Sequence, residues 1–269
     1  MKLEPTSERV VEEAYRKSDA AYVVYIFHLA TYAYAATFAA EKRVLDLGCG
    51  SGYGTAMLAR VAASITGVDV AADAIAHARS HYARDNLDFL AIEAHKPLPF
   101  TAASFDLVTS FQVIEHVSDV RAYLREIRRV LTPHGLFIAV TPDRSARLFR
   151  FQKPWNAWHL TEYDAGGLRS VLETEFRDVR IEKMSGPRGL VDIEIDRYRR
   201  MRLLSLPFTL PIVPERMRQS ILKGLSRRRL GRMSAGGGVS EKVAAFSLED
   251  VTIGPDVHPS VNVMGLARP

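Results

Sequence analysis

The sequence predicts an α/β fold: a seven-stranded, mostly parallel sheet with an N-terminal helical lid and a cap inserted before the last strand. Three observations carry this. Short apolar, β-branched runs alternate with segments of helical composition, the pattern of a parallel sheet covered on both faces. The first of these runs ends in a glycine-rich turn that opens a helix. The chain has 269 residues, 47% apolar and 25% charged, enough for one nucleotide-fold-sized domain plus an elaboration.

Each element follows in order. Residues 1–42 read as the helical lid, with a charged amphipathic stretch near Ser7–Lys17 and then an uncharged run from Ala20 to Ala40. That run has the length of a membrane span. Its alanines, four tyrosines, His28 and two threonines favour a buried helix instead. The core, 43–184, opens with a strand at 43–47 and a helix at 55–62. A second strand over 64–70 contains Asp69, and an alanine-rich helix covers 71–84. Strands at 87–92 and 105–110 come next. The helix at 119–131 places Val120, Leu124, Ile127 and Leu131 on one face. Pro133-His134-Gly135 reads as a turn before a fifth strand at 136–140. Asp164 starts a helix to Glu173 as its N-cap, and 179–183 is a sixth strand. Residues 185–258 form the cap, and 259–269 holds the final strand.

Cys49 is the single cysteine, which excludes a disulfide framework and any zinc site built on several thiolates. A reducing cytosolic setting is expected, and no secretory signal is read at Met1–Pro5. The net charge of +5 is unevenly spread. Residues 197–232 carry ten arginines and one lysine against Glu215, so that segment is +10 and the rest of the chain −5. Aromatic residues to stack on bases are sparse there, so peripheral contact with an anionic membrane ranks above nucleic acid. A solvated face on a substrate-covering lid is the simpler reading of the same charges.

The segment Val44-Leu45-Asp46-Leu47-Gly48-Cys49-Gly50-Ser51-Gly52-Tyr53-Gly54 carries the cofactor chemistry. Glycines admit positive φ and let a ligand approach the backbone. A dinucleotide would use such a turn too. However, the G-x-G-x-x-G spacing fails, because Tyr53 stands where the third glycine belongs. Asp46 precedes the glycines, where a carboxylate suits a ligand with an ammonium group better than a pyrophosphate. Asp69 ends the second strand, where an acid can accept from ribose hydroxyls.

From about Arg43 to Val140 the chain resembles the class I S-adenosylmethionine-dependent methyltransferases, which share a Rossmann-like sheet. The resemblance rests on the glycine-rich segment, Asp69, Ile92-Glu93-Ala94, Leu98-Pro99-Phe100 and Ser104–Val108. It implies S-adenosylmethionine as cofactor. Asp46, Gly48, Cys49, Gly50, Gly52 and Tyr53 would lie around its methionine part, Asp69 and Val70 at the ribose, and Glu93 and Ala94 beside the adenine. Phe111 and Gln112 complete the set. The family more often carries Asp where Glu93 stands.

Methyl transfer from a sulfonium needs alignment, exclusion of water and, for a hydroxyl acceptor, removal of a proton. His116 follows the fourth strand in Ser110–Val117. That stretch lacks the Asn/Asp-Pro-Pro-Tyr/Phe motif of amino-group methylating enzymes. The Glu115-His116 pair resembles the quinone-pathway and small-molecule O-methyltransferase branch. His159 lies in Trp155–Tyr163, which is similar to a segment of methyltransferases acting on sugars. His116 and His159 are the candidate bases, and Trp155, Trp158 and Tyr163 candidate substrate contacts. Either histidine also fits a purely local, pocket-shaping role. No histidines and acids sit at helical metal spacing, so no metal is expected. The acceptor expected is a small molecule, such as a sugar, lipid-linked glycan precursor or other metabolite. Methylation of a quinone carbon and a non-catalytic cofactor-binding role are the alternatives.

Overall fold

A computed structural model describes residues 12–94, 96–233 and 238–269, and the side chains of 12–14 and 225–233 lie outside that description. A 3-10 turn over Glu12–Lys17 leads into helix α1, Asp19–Ala39, whose Ser18 cap accepts a hydrogen bond from the Ala21 N–H. Of the charged stretch expected at 7–17, residues 7–11 lie outside the described residues. Val23, Ile26, Phe27, Ala30, Tyr32 and Ala35 of α1 are buried. Among the described residues no helix is long and apolar enough to cross a membrane. The uncharged run is therefore a core helix packed beside the sheet.

The sheet then builds strand by strand. β1 (Arg43–Leu47), α2 (Tyr53–Leu58), β2 (Ser64–Asp69), α3 (Ala72–His81) and β3 (Leu87–Ala91) form the first half. β4 (Phe105–Phe111), α4 (Val120–Val130), β5 (Leu131–Pro142), the short α5 (Arg144–Arg147), α6 (Ala165–Leu172) and β6 (Asp178–Ser185) form the second. The cap contributes α7 (Arg188–Thr209), α8 (Glu215–Met233), α9 (Glu241–Ala244) and β7 (Thr252–Gly254), and the chain closes with β8 (Asn262–Arg268). The order across the sheet is β3-β2-β1-β4-β5-β8-β6-β7. β1 pairs parallel with β2 and β4, and β8 runs antiparallel between β5 and β6.

The sheet thus has eight strands rather than seven. The extra one, β7, is three residues of the cap that pair antiparallel with the edge of β6. A run that short carries no legible period. The turn expected at 133–135 lies inside β5, where the pairing with β4 jumps from Phe105↔Leu131 to Leu107↔Leu136. The extra residues form a bulge that keeps the ladder running.

The apolar pattern buries as its period dictates. Leu124, Ile127 and Val130 of α4 pack with Leu45, Val108, Phe137 and Leu168 in one core cluster. The other cluster lies on the α1 side and includes Phe27, Tyr32, Ile138 and Met264. α7 ends at Thr209, within an apolar stretch over 206–214 that holds three prolines, and Pro207 lies inside its last turn. Thr209 answers part of that turn by donating its hydroxyl to the Ser205 carbonyl at 2.9 Å.

The basic cap is not uniformly a surface. Arg218 is 1% exposed. Its guanidinium pairs with Glu215 and donates to the carbonyls of Pro154, Asn156 and His159. Arg197 pairs with Glu194, and Arg199 with Asp196. The side chains of Arg227, Arg228, Arg229 and Arg232 lie outside the described residues.

Candidate active site

β1, β2 and β4 bring their carboxyl ends together, and the glycine-rich turn sits over them. Asp46 is buried in β1, and three hydroxyls converge on it. Thr55 and Tyr32 donate to Oδ2 at 2.6 and 3.2 Å, and Thr109 donates to Oδ1 at 2.9 Å. Burial nevertheless holds its carboxyl up at about 6, against the three hydroxyls that stabilise the charge. For the contact expected between Asp46 and a ligand ammonium, the carboxylate is already occupied by the protein's own hydroxyls. Thr55, Thr109 and Tyr32 were not legible as site residues. Tyr32 comes from α1, so the lid helix is tied directly to the cofactor strand.

Gly48, Gly50 and Gly52 all have positive φ, at 84°, 54° and 86°. Their surroundings differ. A Cβ on Gly48 would come within 2.3 Å of the Val113 side chain, whereas one on Gly50 would meet nothing within 4 Å. Gly50 thus opens on a space that a ligand can enter. Its N–H donates to Asp69 Oδ2 at 2.9 Å, and the Ala71 N–H donates to Oδ1 at 2.8 Å. Asp69 keeps the remaining lone pair on each oxygen for an outside donor. Val70, 60% exposed, follows it as an apolar platform. An open glycine, a fixed acid and an exposed apolar edge suit a ligand with a polar chain, a diol and a flat ring.

The other cofactor candidates fall around this cradle. Cys49 is buried, and burial beside Asp46 and Asp69 pushes its thiol far up, so it is inert at neutral pH. Tyr53 is buried with its ring edge-on to Tyr32 at 5.7 Å, and Phe111 meets Tyr32 at 4.9 Å. Gln112 has φ 58°, and its N–H donates to the Val140 carbonyl at 2.7 Å. Glu93 and Ala94 are exposed after β3, with Glu93 paired to Lys96 at 2.8 Å.

The two histidines meet although 43 positions separate them. The Leu160 N–H donates to the Glu115 carbonyl at 2.8 Å, which ties the loop after β5 to the loop after β4. His116 and His159 then lie edge to face, with ring centroids 4.9 Å apart. His159 is buried, and burial lowers it to about 4 against the pull of Glu162, so it is neutral near pH 7. Its Nδ1 lies 2.8 Å from Glu162 Oε1. Burial acts upward on Glu162, but Arg147 and His159 overcome it and hold the carboxylate at about 2. An ionised carboxylate only accepts, so the His159 proton sits on Nδ1 and the lone pair on Nε2. His116 Nδ1 lies 3.1 Å from the Trp158 carbonyl, which assigns the same tautomer.

Glu115 completes the group. It is wholly buried, and burial raises it to about 7, opposed by His116. Neither carboxylate oxygen makes a well-formed hydrogen bond, although the neighbouring Thr141 hydroxyl and the residue's own N–H lie close enough to pull the carboxyl downward. Ligand atoms of Glu115, His116 and His159 all lie within 4.8 Å of one another. Spacing along the chain held no sign of this cluster, because its members come from two loops. Val113, just before it, packs on Gly48, so the cluster adjoins the glycine-rich turn.

The expected substrate aromatics are dispersed. Trp155 is buried beneath the Arg147 guanidinium, 4.2 Å from its ring centre. Tyr163 is buried in the α4 core cluster. Trp158 stands 47% exposed, with Lys223 Nζ 4.5 Å from its ring centre. Of the three, only Trp158 presents a ring to solvent.

The methyltransferase domain family matches residues 45–139. An S-adenosylmethionine-dependent methyltransferase of Mycolicibacterium smegmatis is 38% identical over 147 residues, 55% of this chain and 56% of that one. One from Mycobacterium tuberculosis is 39% identical over 153 residues, 56% and 55%. A ubiquinone biosynthesis O-methyltransferase from Bartonella tribocorum is 33% identical over 118 residues, 43% and 44%. The chain thus spans about half the length of the curated relatives it matches. Among solved structures, a methyltransferase from Thermotoga maritima superposes with a TM-score of 0.56 at 14% identity, covering 95% of this chain and 91% of that one. The [4+2]-cyclase SpnF does so with 0.53 at 19%, covering 90% and 81%. These two show the shared fold alone, and a fold that also serves a cyclase does not by itself name a reaction. The family match and the relatives agree: residues 45–139 form a methyltransferase domain of the class I S-adenosylmethionine-dependent kind, with S-adenosylmethionine as its cofactor.

Proposed function

We propose that the protein transfers a methyl group from S-adenosylmethionine to a hydroxyl of a small molecule, such as a sugar, a lipid-linked glycan precursor or a related metabolite. The observation that carries this reading is the neutral imidazole of His159, whose Nε2 lone pair remains while its Nδ1–H donates to Glu162, with the His116 ring edge-on beside it. The cofactor supplies an electrophilic methyl on a sulfonium. Gly48 to Gly52 and Asp69 hold its chain and ribose. Phe111 and Tyr32 wall the loop against water. His159, kept in one tautomer by Glu162 and Arg147, or His116 beside it, accepts the proton from the acceptor hydroxyl. Positioning does most of the work, since an aligned pair of reactants is worth several orders of magnitude in rate.

Methylation of a quinone-ring carbon is the alternative; the ubiquinone-pathway relative, an O-methyltransferase, supports a ring acceptor but not a carbon one. A cofactor-binding protein without turnover is the other. The test is release of S-adenosylhomocysteine on incubation with panels of sugars, polyprenyl-linked sugars and quinols. Turnover on a hydroxylated acceptor, lost in His159→Ala with cofactor affinity retained, is expected. Turnover confined to carbon methylation, or full activity in both His159→Ala and His116→Ala, rejects the assignment.

We also place the acceptor at an anionic membrane surface. Leu203, Leu204, Ile212 and Met217, on α7, α8 and the turn between them, are all at least half exposed, and the exposed Arg199, Arg200 and Arg216 share those helices. Apolar side chains rimmed by arginines suit peripheral lipid contact. Co-sedimentation with anionic vesicles, lost on neutralising Arg199 and Arg200 or Arg227–Arg229, is the expected result; no binding removes this part.

A further inference from the structure

We propose that Glu115, His116 and His159 form a binding site for one divalent transition-metal ion, held by a Glu115 carboxylate oxygen and the two imidazole Nε2 atoms. One nitrogen of each imidazole and a carboxylate oxygen of Glu115 lie within 4.8 Å of one another, so modest side-chain movement closes the set on an ion.

Three features of the cluster fit an ion and are left without purpose by hydrogen bonding alone. First, Glu115 is wholly buried with no well-formed hydrogen bond to either carboxylate oxygen and no cation paired with it among the described residues; only the Thr141 hydroxyl and its own N–H lie near. Burying a carboxylate this way is costly unless a cation or donors meet it. Arg147, which enters the same loop, is committed to Glu162 through both oxygens, at 3.0 and 3.1 Å. Second, each imidazole is oriented by an acceptor at Nδ1: Glu162 for His159, the Trp158 carbonyl for His116. That is the outer support metal-bound histidines carry, because it fixes the tautomer and turns Nε2 toward the ion. Third, the support extends outward. Glu162 is clamped by Arg147, and Arg218 holds the His159 carbonyl at 3.3 Å. The loop is rigid where a ligand set must be.

The donor set names the class of ion. Two imidazole nitrogens and one carboxylate suit zinc, manganese, iron(II) or cobalt; calcium and magnesium prefer oxygen, and copper(I) prefers sulfur. Three protein ligands leave positions open, as in catalytic rather than structural sites. His116, only partly buried, is the side from which an outside oxygen would reach them.

The role of the ion rests on the methyl-transfer reading above. It would lower the pKa of the acceptor hydroxyl. The proton leaves to solvent, the oxygen forms its bond to the methyl carbon, and the carbon–sulfur pair returns to sulfur, neutralising the sulfonium. The lone pairs of His116 and His159 then serve the ion, and the ion does what a base would otherwise do.

The experiment is a titration of the chelator-stripped, full-length protein with Co²⁺, read by visible absorption, with Zn²⁺ as competitor. S-adenosylmethionine affinity is measured on the same samples. One Co²⁺ per chain at micromolar or tighter affinity, displaced by Zn²⁺, is expected. Glu115→Gln and His116→Gln should abolish the band, and Glu162→Gln should weaken binding about 10- to 100-fold. Cofactor affinity unchanged in Glu115→Gln shows that the variant is folded; should it not fold, His116→Gln, at a partly exposed position, decides. No band in the wild type, or a band unchanged in the folded variants, overturns the proposal. Cofactor binding without Co²⁺ binding removes the metal and leaves methyl transfer standing. Co²⁺ binding without cofactor binding does the reverse.

Discussion

Replacing Gly50 with alanine separates ligand binding from folding at a single methyl group. Gly50 has φ 54°, and a left-handed alanine is about 1–2 kcal/mol worse than glycine. No protein atom lies within 4 Å of the added Cβ, so no packing cost adds to that figure. For a chain of this size the melting temperature should fall only about 2–8 °C. Binding should suffer far more. A methyl carbon keeps other carbons about 3.5–4.0 Å away, and it would stand in the space assigned to the cofactor. A loss of at least tenfold in affinity, about 1.4 kcal/mol, is the minimum expected. Gly48→Ala is the contrast, since its Cβ would fall 2.3 Å from Val113 and strain the fold itself. Calorimetric titration with S-adenosylmethionine and thermal melts of both variants make the comparison. Wild-type affinity in Gly50→Ala would refute the cradle.

Two further outcomes follow from buried charges. Asp46, held at about 6 against an ordinary value near 4, binds its proton more tightly folded than unfolded. Folding stability attributable to it is therefore fully present below about pH 4 and declines as pH rises to about 6, by roughly 3 kcal/mol. Urea unfolding across that window should show the decline in the wild type and its absence in Asp46→Asn; parallel curves would show that Asp46 is not the group responsible. Arg218→Met removes the donor to three loop carbonyls at about 1 kcal/mol each, so the melting point should drop by about 6–12 °C. The exposed Arg199→Ala should change stability by less than about 1 kcal/mol, and equal effects from the two would mean that Arg218 lies on the surface.

The legible parts of the fold were those whose pattern is local. Apolar runs such as Val44–Leu47 and Leu107–Ser110 must be buried on both faces, which announces a parallel sheet. Glycines at 48, 50 and 52 announce a turn with positive φ, and Asp69 follows at the end of the next strand. Contacts that close over distance had no such signature. Nothing near Tyr32 tells that its hydroxyl reaches Asp46. The cluster of Glu115, His116 and His159 forms only because the Leu160 N–H bonds the Glu115 carbonyl. Arg218 reads as one more basic residue in a basic segment, yet it is buried under the loop that carries His159. Trp155 reads as a ring for a substrate, and it is occupied by Arg147. Charge and aromaticity announce a capacity to bind, and the fold decides whether the partner is a ligand or another side chain.

The central claim is that the glycine-rich turn and Asp69 hold S-adenosylmethionine. Calorimetric titration of the purified protein with S-adenosylmethionine, S-adenosylhomocysteine and NAD, beside Asp69→Ala, tests it most directly. The account predicts micromolar binding of the sulfonium and its product, loss of both in the variant, and no binding of NAD. Binding of NAD alone, or undiminished cofactor binding in Asp69→Ala, would contradict it.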